Sequence, residues 1–281
     1  MKSRKVLLLI GALLSISGLS AAPFGFSISD ANRILYRIDL GTGIATSLGV
    51  VDYPMNDELE GFAAIGSTLY GVGEANNNPG ALRNITVPPG SLIGSDTRSG
   101  DEAGAAAFGG LIYNTQANSI LGGPTILYSI DPATGAATSI GSSTIDAHVD
   151  GLAINSAGDA FGSDFQSTGS LYRVNLGTGD LTLVGALGGA TGYDSGLAFD
   201  DATGTLYALR EDGVIYTLNT SIGAASFQAV VTIGGTRVPG DLEGLEIVDT
   251  AAIPEPGSLA LLGSGLVGLT VYSRKRRQSA K

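Results

Sequence analysis

Short apolar runs broken by alternating polar positions recur from residue 23 to residue 253, and no stretch there keeps a 3.6-residue apolar period because glycine interrupts every candidate helix. One strand-like phrase returns: Leu35-Tyr36-Arg37-Ile38-Asp39-Leu40-Gly41-Thr42-Gly43, Leu127-Tyr128-Ser129-Ile130-Asp131-Pro132-Ala133-Thr134-Gly135 and Leu171-Tyr172-Arg173-Val174-Asn175-Leu176-Gly177-Thr178-Gly179. Weaker copies start at Leu82 and Ile215, so the starts at 35, 82, 127, 171 and 215 are 47, 45, 44 and 44 residues apart. A period in that range marks a repeat architecture. Each copy predicts a β-hairpin: a strand rich in Tyr and Ile or Val, an Asp/Asn-x-x-Thr-Gly turn, then a second strand such as Ile44 to Leu48. The Asp or Asn side chain can accept from amides inside the turn, and the closing glycine can take a positive φ. The turns lack the alternating acids and distal Glu of a calcium loop and read as turn chemistry.

A second phrase, acid-rich and ending in glycine, precedes an apolar strand at Glu58-Leu59-Glu60-Gly61, Asp101-Glu102-Ala103-Gly104, His148-Val149-Asp150-Gly151, Tyr193-Asp194-Ser195-Gly196 and Asp241-Leu242-Glu243-Gly244. Its glycines are 43, 47, 45 and 48 residues apart, so two independent markers give five units. A further strand lies between the phrases, clearest in Thr68 to Val72 and Thr205 to Leu209, which makes four short strands per unit, one blade of a propeller. The first hairpin has no acid-Gly strand before it, and the last acid-Gly strand has no hairpin after it. Side by side they complete one blade. The expected fold is therefore all-β, a five-bladed β-propeller of about 45-residue repeats, its ring closed by the C-terminal strand pairing with the N-terminal strands.

The two ends read differently. Met1-Lys2-Ser3-Arg4-Lys5, an apolar run from Val6 to Leu14 and small residues to Ala22 have the order of a secretory signal peptide, with an uncleaved anchor as the alternative. At the other end Pro254-Glu255-Pro256 is followed by an uncharged run from Gly257 to Ser273 and by Arg274-Lys275-Arg276-Arg277. As a helix that run would be roughly 25 Å long, close to a bilayer core, with the basic cluster on the cytoplasmic side. The expected organisation is 1–22 signal peptide, 23–253 propeller body and 254–281 tail with one transmembrane helix.

This tripartite tail resembles the PEP-CTERM sorting signal of Gram-negative bacteria, with Pro254, Glu255 and Pro256 as the motif and Arg274, Lys275, Arg276 and Arg277 as the stop. The resemblance implies recognition and cutting by an exosortase after export, in bacteria that often secrete polysaccharide. The ordinary alternative is a permanent single-span anchor. The Leu-Tyr-x-Ile-Asp-x-x-Thr-Gly phrase resembles repeats of bacterial quinoprotein-like and surface propellers. That likeness implies the fold and not the cofactor, since the chain has no Trp to stack on a quinone and no cysteine pair.

Composition narrows the chemistry. Of 281 residues none is Cys or Trp and one is His, His148, which excludes disulfides, thiolate metal sites and thiol nucleophiles and leaves a single imidazole. Between Pro23 and Ile253 there are 25 Asp and Glu against seven Arg and no Lys, so the body carries about −18 where the whole chain carries −11. Such a body repels phosphate backbones, and nucleic acid is excluded as a partner.

In a propeller the acid-Gly phrases line one mouth of the axis, which makes Glu58, Glu60, Asp101, Asp150, Asp241 and Glu243 candidate ligands of a Ca²⁺ ion, with His148 on the same face and Glu102 and Asp194 nearby. The other reading has these acids solvated or bonded to inner-strand amides. The function read from this pattern is an exported binding or structural surface protein, associated with exopolysaccharide or another surface protein and processed by signal peptidase and exosortase. Its alternative is a cation-dependent, carboxylate-based hydrolase of glycosidase or lactonase type with its site in the channel. Against that alternative stand the missing Trp platforms, with Tyr193 and Phe62 the aromatics on the inner-strand phrases.

Overall fold

The computed structural model describes residues 22–54, 58–73, 80–96, 98, 102–117, 123–165, 169–189 and 192–248, and every regular element among them is a strand. The first three are β1 (Phe24–Ser29), β2 (Ile34–Asp39) and β3 (Ala45–Val50). Next come β4 (Leu59–Ile65), β5 (Thr68–Gly73), β6 (Gly80–Asn84) and β7 (Ser91–Asp96), then β8 (Glu102–Phe108), β9 (Leu111–Ala117), β10 (Ile126–Ile130) and β11 (Ala137–Ser142). They are followed by β12 (Gly151–Ile154), β13 (Ala160–Asp164), β14 (Ser170–Val174) and β15 (Leu181–Ala186), and by β16 (Ser195–Asp200), β17 (Thr205–Arg210), β18 (Val214–Leu218) and β19 (Ala225–Val230). A small hairpin, β20 (Thr232–Ile233) with β21 (Thr236–Arg237), precedes β22 (Leu242–Ile247).

These strands form five antiparallel four-stranded sheets, the blades of a five-bladed propeller. Four blades are consecutive: β4 to β7, β8 to β11, β12 to β15 and β16 to β19. The remaining sheet has the order β22-β1-β2-β3, with Phe26 opposite Glu246 and Ile28 opposite Glu243. The innermost strands are β4, β8, β12, β16 and β22, and β22 packs beside both β4 and β16. The expected signal peptide and the tail, including its expected helix, lie outside the described residues apart from Ala22. Among the described residues no helix is long and apolar enough to cross a membrane.

The repeated phrase has a local cause in each blade. Leu35 pairs with Gly49 while Tyr36 pairs with Ser47, and the same one-residue shift falls at Leu82/Arg83, Leu127/Tyr128, Leu171/Tyr172 and Ile215/Tyr216. Each shift is a β-bulge in the outer strand, which bends the blade where its neighbour approaches. A side chain on the bulge glycines Gly94, Gly141 or Gly185 would strike the backbone at Thr134, Thr178 or Ile222, in the turn of the next blade. The turn is shaped for that approach. Asp39 Oδ1 accepts from Gly41 N (2.9 Å) and Thr42 N (3.0 Å), Asp131 Oδ1 from Ala133 N (2.8 Å), and Asn175 Oδ1 from Gly177 N (2.9 Å). Gly43 closes its turn at φ 73°, in the left-handed region that favours glycine. Asn175→Ala is expected to cost about 1 kcal/mol, seen as a melting temperature lower by about 2–4 °C in calorimetry, while Asn175→Asp keeps the acceptor and the stability.

The apolar core is divided among the five interfaces between neighbouring blades. Leu35 and Ile28 pack with Leu59 and Phe62, Val72 and Leu82 with Ala105 and Ile112, and Leu127 with Leu152 and Tyr172. Phe161 and Leu171 pack with Leu197 and Leu206, and Ile215 and Leu209 with Ile38 and Leu245. No blade owns a core, so each is stable only beside its neighbours.

Candidate functional site

The five glycines of the acid-Gly phrase form the innermost layer of the ring. A Cβ on Gly61 would stand 2.7 Å from Ala105 Cβ, on Gly104 2.7 Å from Leu152 N, on Gly151 2.9 Å from Leu197 Cγ, and on Gly244 2.9 Å from Glu60 O. On Gly196 it would meet the backbone of Gly244 and Leu245. Glycine therefore lets each inner strand lie directly against the next. The residues after these glycines, Phe62, Ala105, Leu152, Leu197 and Leu245, are buried and border a narrow axial void with no room for a water molecule. The axis is filled at mid-height, which leaves its two mouths as the places where chemistry can occur.

The acidic mouth lies where the inner strands begin. Asp241 N donates to Asp30 Oδ1 (2.9 Å) and Asp30 N to Asp241 O (3.1 Å), tying the β1–β2 turn to β22. Glu211 N, in the β17–β18 turn, donates to Asp194 O (3.0 Å), and Leu242 N donates to Glu211 O (2.8 Å). These contacts gather carboxylates with no matching number of cations. Burial, then the charges of Asp30, Asp241 and Asp194, raises the Glu58 carboxyl above its ordinary range. Burial, then Asp194 and Asp241, pushes Glu211 up to about 7. Asp241 is raised by burial and then by Asp30 and Asp212. Glu243 is raised well above its ordinary range, by burial and then by Asp194, Glu211, Asp30 and Glu58. Each of these shifts favours the protonated, neutral form of its carboxyl.

Of the candidate ligands, Glu58, Asp241 and Glu243 are brought together here, with Asp194 beside them. Glu60 and Asp150 border the axial void and serve neighbouring strands: Ala103 N donates to Glu60 Oε2 (2.7 Å) and Ser195 Oγ to Asp150 Oδ1 (3.2 Å). His148 is buried, and its amide donates to Asp164 Oδ2 (3.0 Å). Asp101 and the side chain of Glu102 lie outside the described residues. Among the described residues no three of His, Asp and Glu are placed to share one metal ion. Asp30 and Glu211 escaped the sequence reading because they stand in middle-strand turns, away from the acid-Gly phrase.

The far mouth holds a cavity of about 460 Å³ lined by residues of all five inner strands or the turns after them. Counted from each ring glycine, the second residue is Ala63, Ala106, Ala153, Ala198 and Glu246. Ala106, Ala153 and Ala198 line the cavity while Ala63 is buried between blades, and the fifth blade places the Glu246 carboxyl in the lining. Phe108 and Phe199 form aromatic wall, while Asn155, Ser156 and Asp201 bring polar groups to the rim. Ser156 holds Asp201 in place across two blades, donating to its Oδ1 from N (3.0 Å) and Oγ (3.1 Å). Burial first, and then the charge of Asp201, raises the Glu246 carboxyl well above its ordinary range. Aligning the repeats on their glycines would have exposed Glu246 in the sequence as the residue that breaks the series.

Comparison with known proteins adds one sorting motif at the C-terminal end. The model of the PEP-CTERM protein-sorting motif matches residues 252–277. None of the curated proteins matches the chain. Among solved structures, a protein of unknown function from Bacteroides caccae is 13% identical over 77% of this chain and 77% of its own, with a TM-score of 0.49. A second protein of unknown function, from Bacteroides thetaiotaomicron, is 17% identical over 73% of this chain, which spans 50% of that protein's length, with a TM-score of 0.44. The structure of YCF48 bound to D1 peptide is similar at 14% identity over 72% of this chain and 66% of that one, with a TM-score of 0.39. A PEP-CTERM motif implies export, sorting to the envelope and processing by an exosortase-type system. The chain is thus a five-bladed β-propeller that carries a PEP-CTERM protein-sorting motif at residues 252–277.

Proposed function

We propose that the protein is an exported propeller of the cell envelope or extracellular matrix that holds a ligand in the cavity of its far mouth, with exopolysaccharide or another surface protein as its setting. The supporting observation is that cavity: it lies within the ~300–1,000 Å³ of ligand pockets and combines apolar wall with a few convergent polar groups. In this reading a signal peptide over 1–22 directs export. Residues 257–273 anchor the chain transiently before an exosortase cuts at Pro254-Glu255-Pro256, and the β22–β1 pairing closes the ring of about 45-residue units. Replacing Pro254, Glu255 and Pro256 by Ala is expected to leave uncut protein in the membrane fraction, whereas the native chain yields a shorter product at the surface or in the medium. Immunoblots of fractionated cells showing the same product for both chains would remove the sorting part of the proposal.

A second reading, a carboxylate hydrolase, is favoured by one observation: Asp201 and Glu246 share the same cavity, and Glu246 is held toward its protonated form. Such a split is what a general acid beside a carboxylate requires. Turnover of a glycan panel that Glu246→Gln abolishes would establish it, and retention without turnover supports the binder.

A further inference from the structure

We infer that the far-mouth cavity is a site for an amine-bearing ligand, its ammonium received by Glu246 and Asp201 and its carbon skeleton lying against Phe108 and Phe199. This inference rests on the reading of that cavity as the ligand site and names the chemical class the site takes. The first support is the break in the repeat. Four blades put a buried alanine two residues after the ring glycine, so the fold itself is satisfied by a methyl group there, and the fifth puts Glu246. A carboxyl partly withdrawn from water is costly unless it is paired. Glu246 makes no hydrogen bond or ion pair among the described residues, and its electrostatic neighbour is Asp201, another acid. The second support is what the lining lacks. Among the described residues it contains two carboxylates and no Lys, Arg or His, so a cation that pairs with them comes from a ligand.

The walls point to an organic cation rather than a bare metal ion. A metal would need several oxygen ligands converging at one point, and no three acidic or imidazole side chains among the described residues do so. Phe108 and Phe199 instead offer aromatic faces of the kind that attract ammonium groups and cover apolar carbons. Phe199 is braced by Phe161 at a ring separation of 5.6 Å, and Phe108 packs on Gly158, where a Cβ would stand 2.8 Å from its ring. Asn155 and Ser156 add hydrogen-bonding groups at the rim, suited to hydroxyls next to the amine. The raised Glu246 carboxyl fits the same picture, because an ammonium beside it would favour its charged form against burial and the charge of Asp201.

The test compares ligands that differ at one position, an ammonium in place of a hydroxyl, using the full-length protein in mild detergent and calorimetric titration. D-glucosamine, kept below its amine pKa, is expected to bind at least about tenfold more tightly than D-glucose, a difference of about 1.4 kcal/mol. Glu246→Ala, which installs the residue the other four blades carry, should fold with undiminished melting temperature and lose that preference. Equal binding of the two sugars would overturn the amine assignment while leaving the cavity as a ligand site. A preference that survives Glu246→Ala would also overturn it, by placing the cation elsewhere. Silence from both sugars and from tetramethylammonium would overturn the assignment and the cavity reading together.

Discussion

Gly196→Ala is expected to destabilise the propeller by more than about 3 kcal/mol, lowering the melting temperature by at least about 6 °C or leaving the protein insoluble. The direction is informative, because in the interior of a strand alanine is ordinarily better than glycine by about 0.5–1 kcal/mol. Here the added methyl would meet the backbone of Gly244 and Leu245 in the neighbouring inner strand, and backbone cannot rotate away as a side chain can. Relief would require β16 and β22 to separate, which would open the packing of Leu245 with Leu209 and Ile215. Gly177→Ala is the matched control: that glycine is exposed, has no positive φ and meets only Asn175 Oδ1, at 3.4 Å. Calorimetry of the two variants should show a large loss for the first and little change for the second. Equal, small effects would mean that the inner strands are not in the close contact described.

The second large effect is on pH dependence. In the folded protein Glu211 titrates near 7, against an ordinary value of 4.5, and Glu58, Asp241, Glu243 and Glu246 are raised as well. Between about 4.5 and the raised values the folded state holds more protons than the unfolded chain. These groups therefore favour folding fully below the unfolded values, and each contribution is lost as the pH climbs through that group's raised value, about 7 for Glu211. The melting temperature is expected to fall by several degrees from pH 5 to pH 8. Glu211→Gln, which keeps the shape and removes the charge, should flatten the upper part of that fall and raise the melting temperature at pH 8. A pH-independent melting temperature would contradict the clustering of Asp30, Asp194, Glu211 and Glu243. A gain in melting temperature at pH 8 on adding Ca²⁺, lost in Glu243→Gln, would show Glu58, Asp241 and Glu243 moving together around a cation, since as placed no three of the described His, Asp and Glu residues share one ion.

Backbone requirements were the legible part of this chain. The Leu-Tyr of the repeated phrase and the Asp/Asn-x-x-Thr-Gly turn that follows it mark a bulge and a turn whose geometry few residues can supply, and they recur in register with the blades. Destinations of side chains were less legible, because they depend on how neighbouring blades meet. The acid-Gly phrase treats Glu60 and Glu243 alike, yet Glu60 accepts from the amide of Ala103 while Glu243 is left among acids. Asp30 and Glu211 join that group from turns whose positions follow from strand lengths. The far mouth went unread for another reason: its signal is a single departure from a run of alanines, and alanine draws no notice until the repeats are aligned.

The blade assembled from β22 and β1 to β3 carries a consequence for the order of events during export. Ser27 Oγ donates to Glu243 O across 216 residues of chain, so the sheet that begins first in synthesis is the last that can be completed. Until Leu242 to Ile247 arrive, β1 presents an unpaired edge of sequence Phe-Gly-Phe-Ser-Ile-Ser, apolar at alternate positions. Such an edge recruits any strand that reaches it first, from a chaperone or from a second nascent copy. The blade therefore stays open until the whole body has been made, and the strand that completes it lies only a few residues before the sorting motif at 252–277.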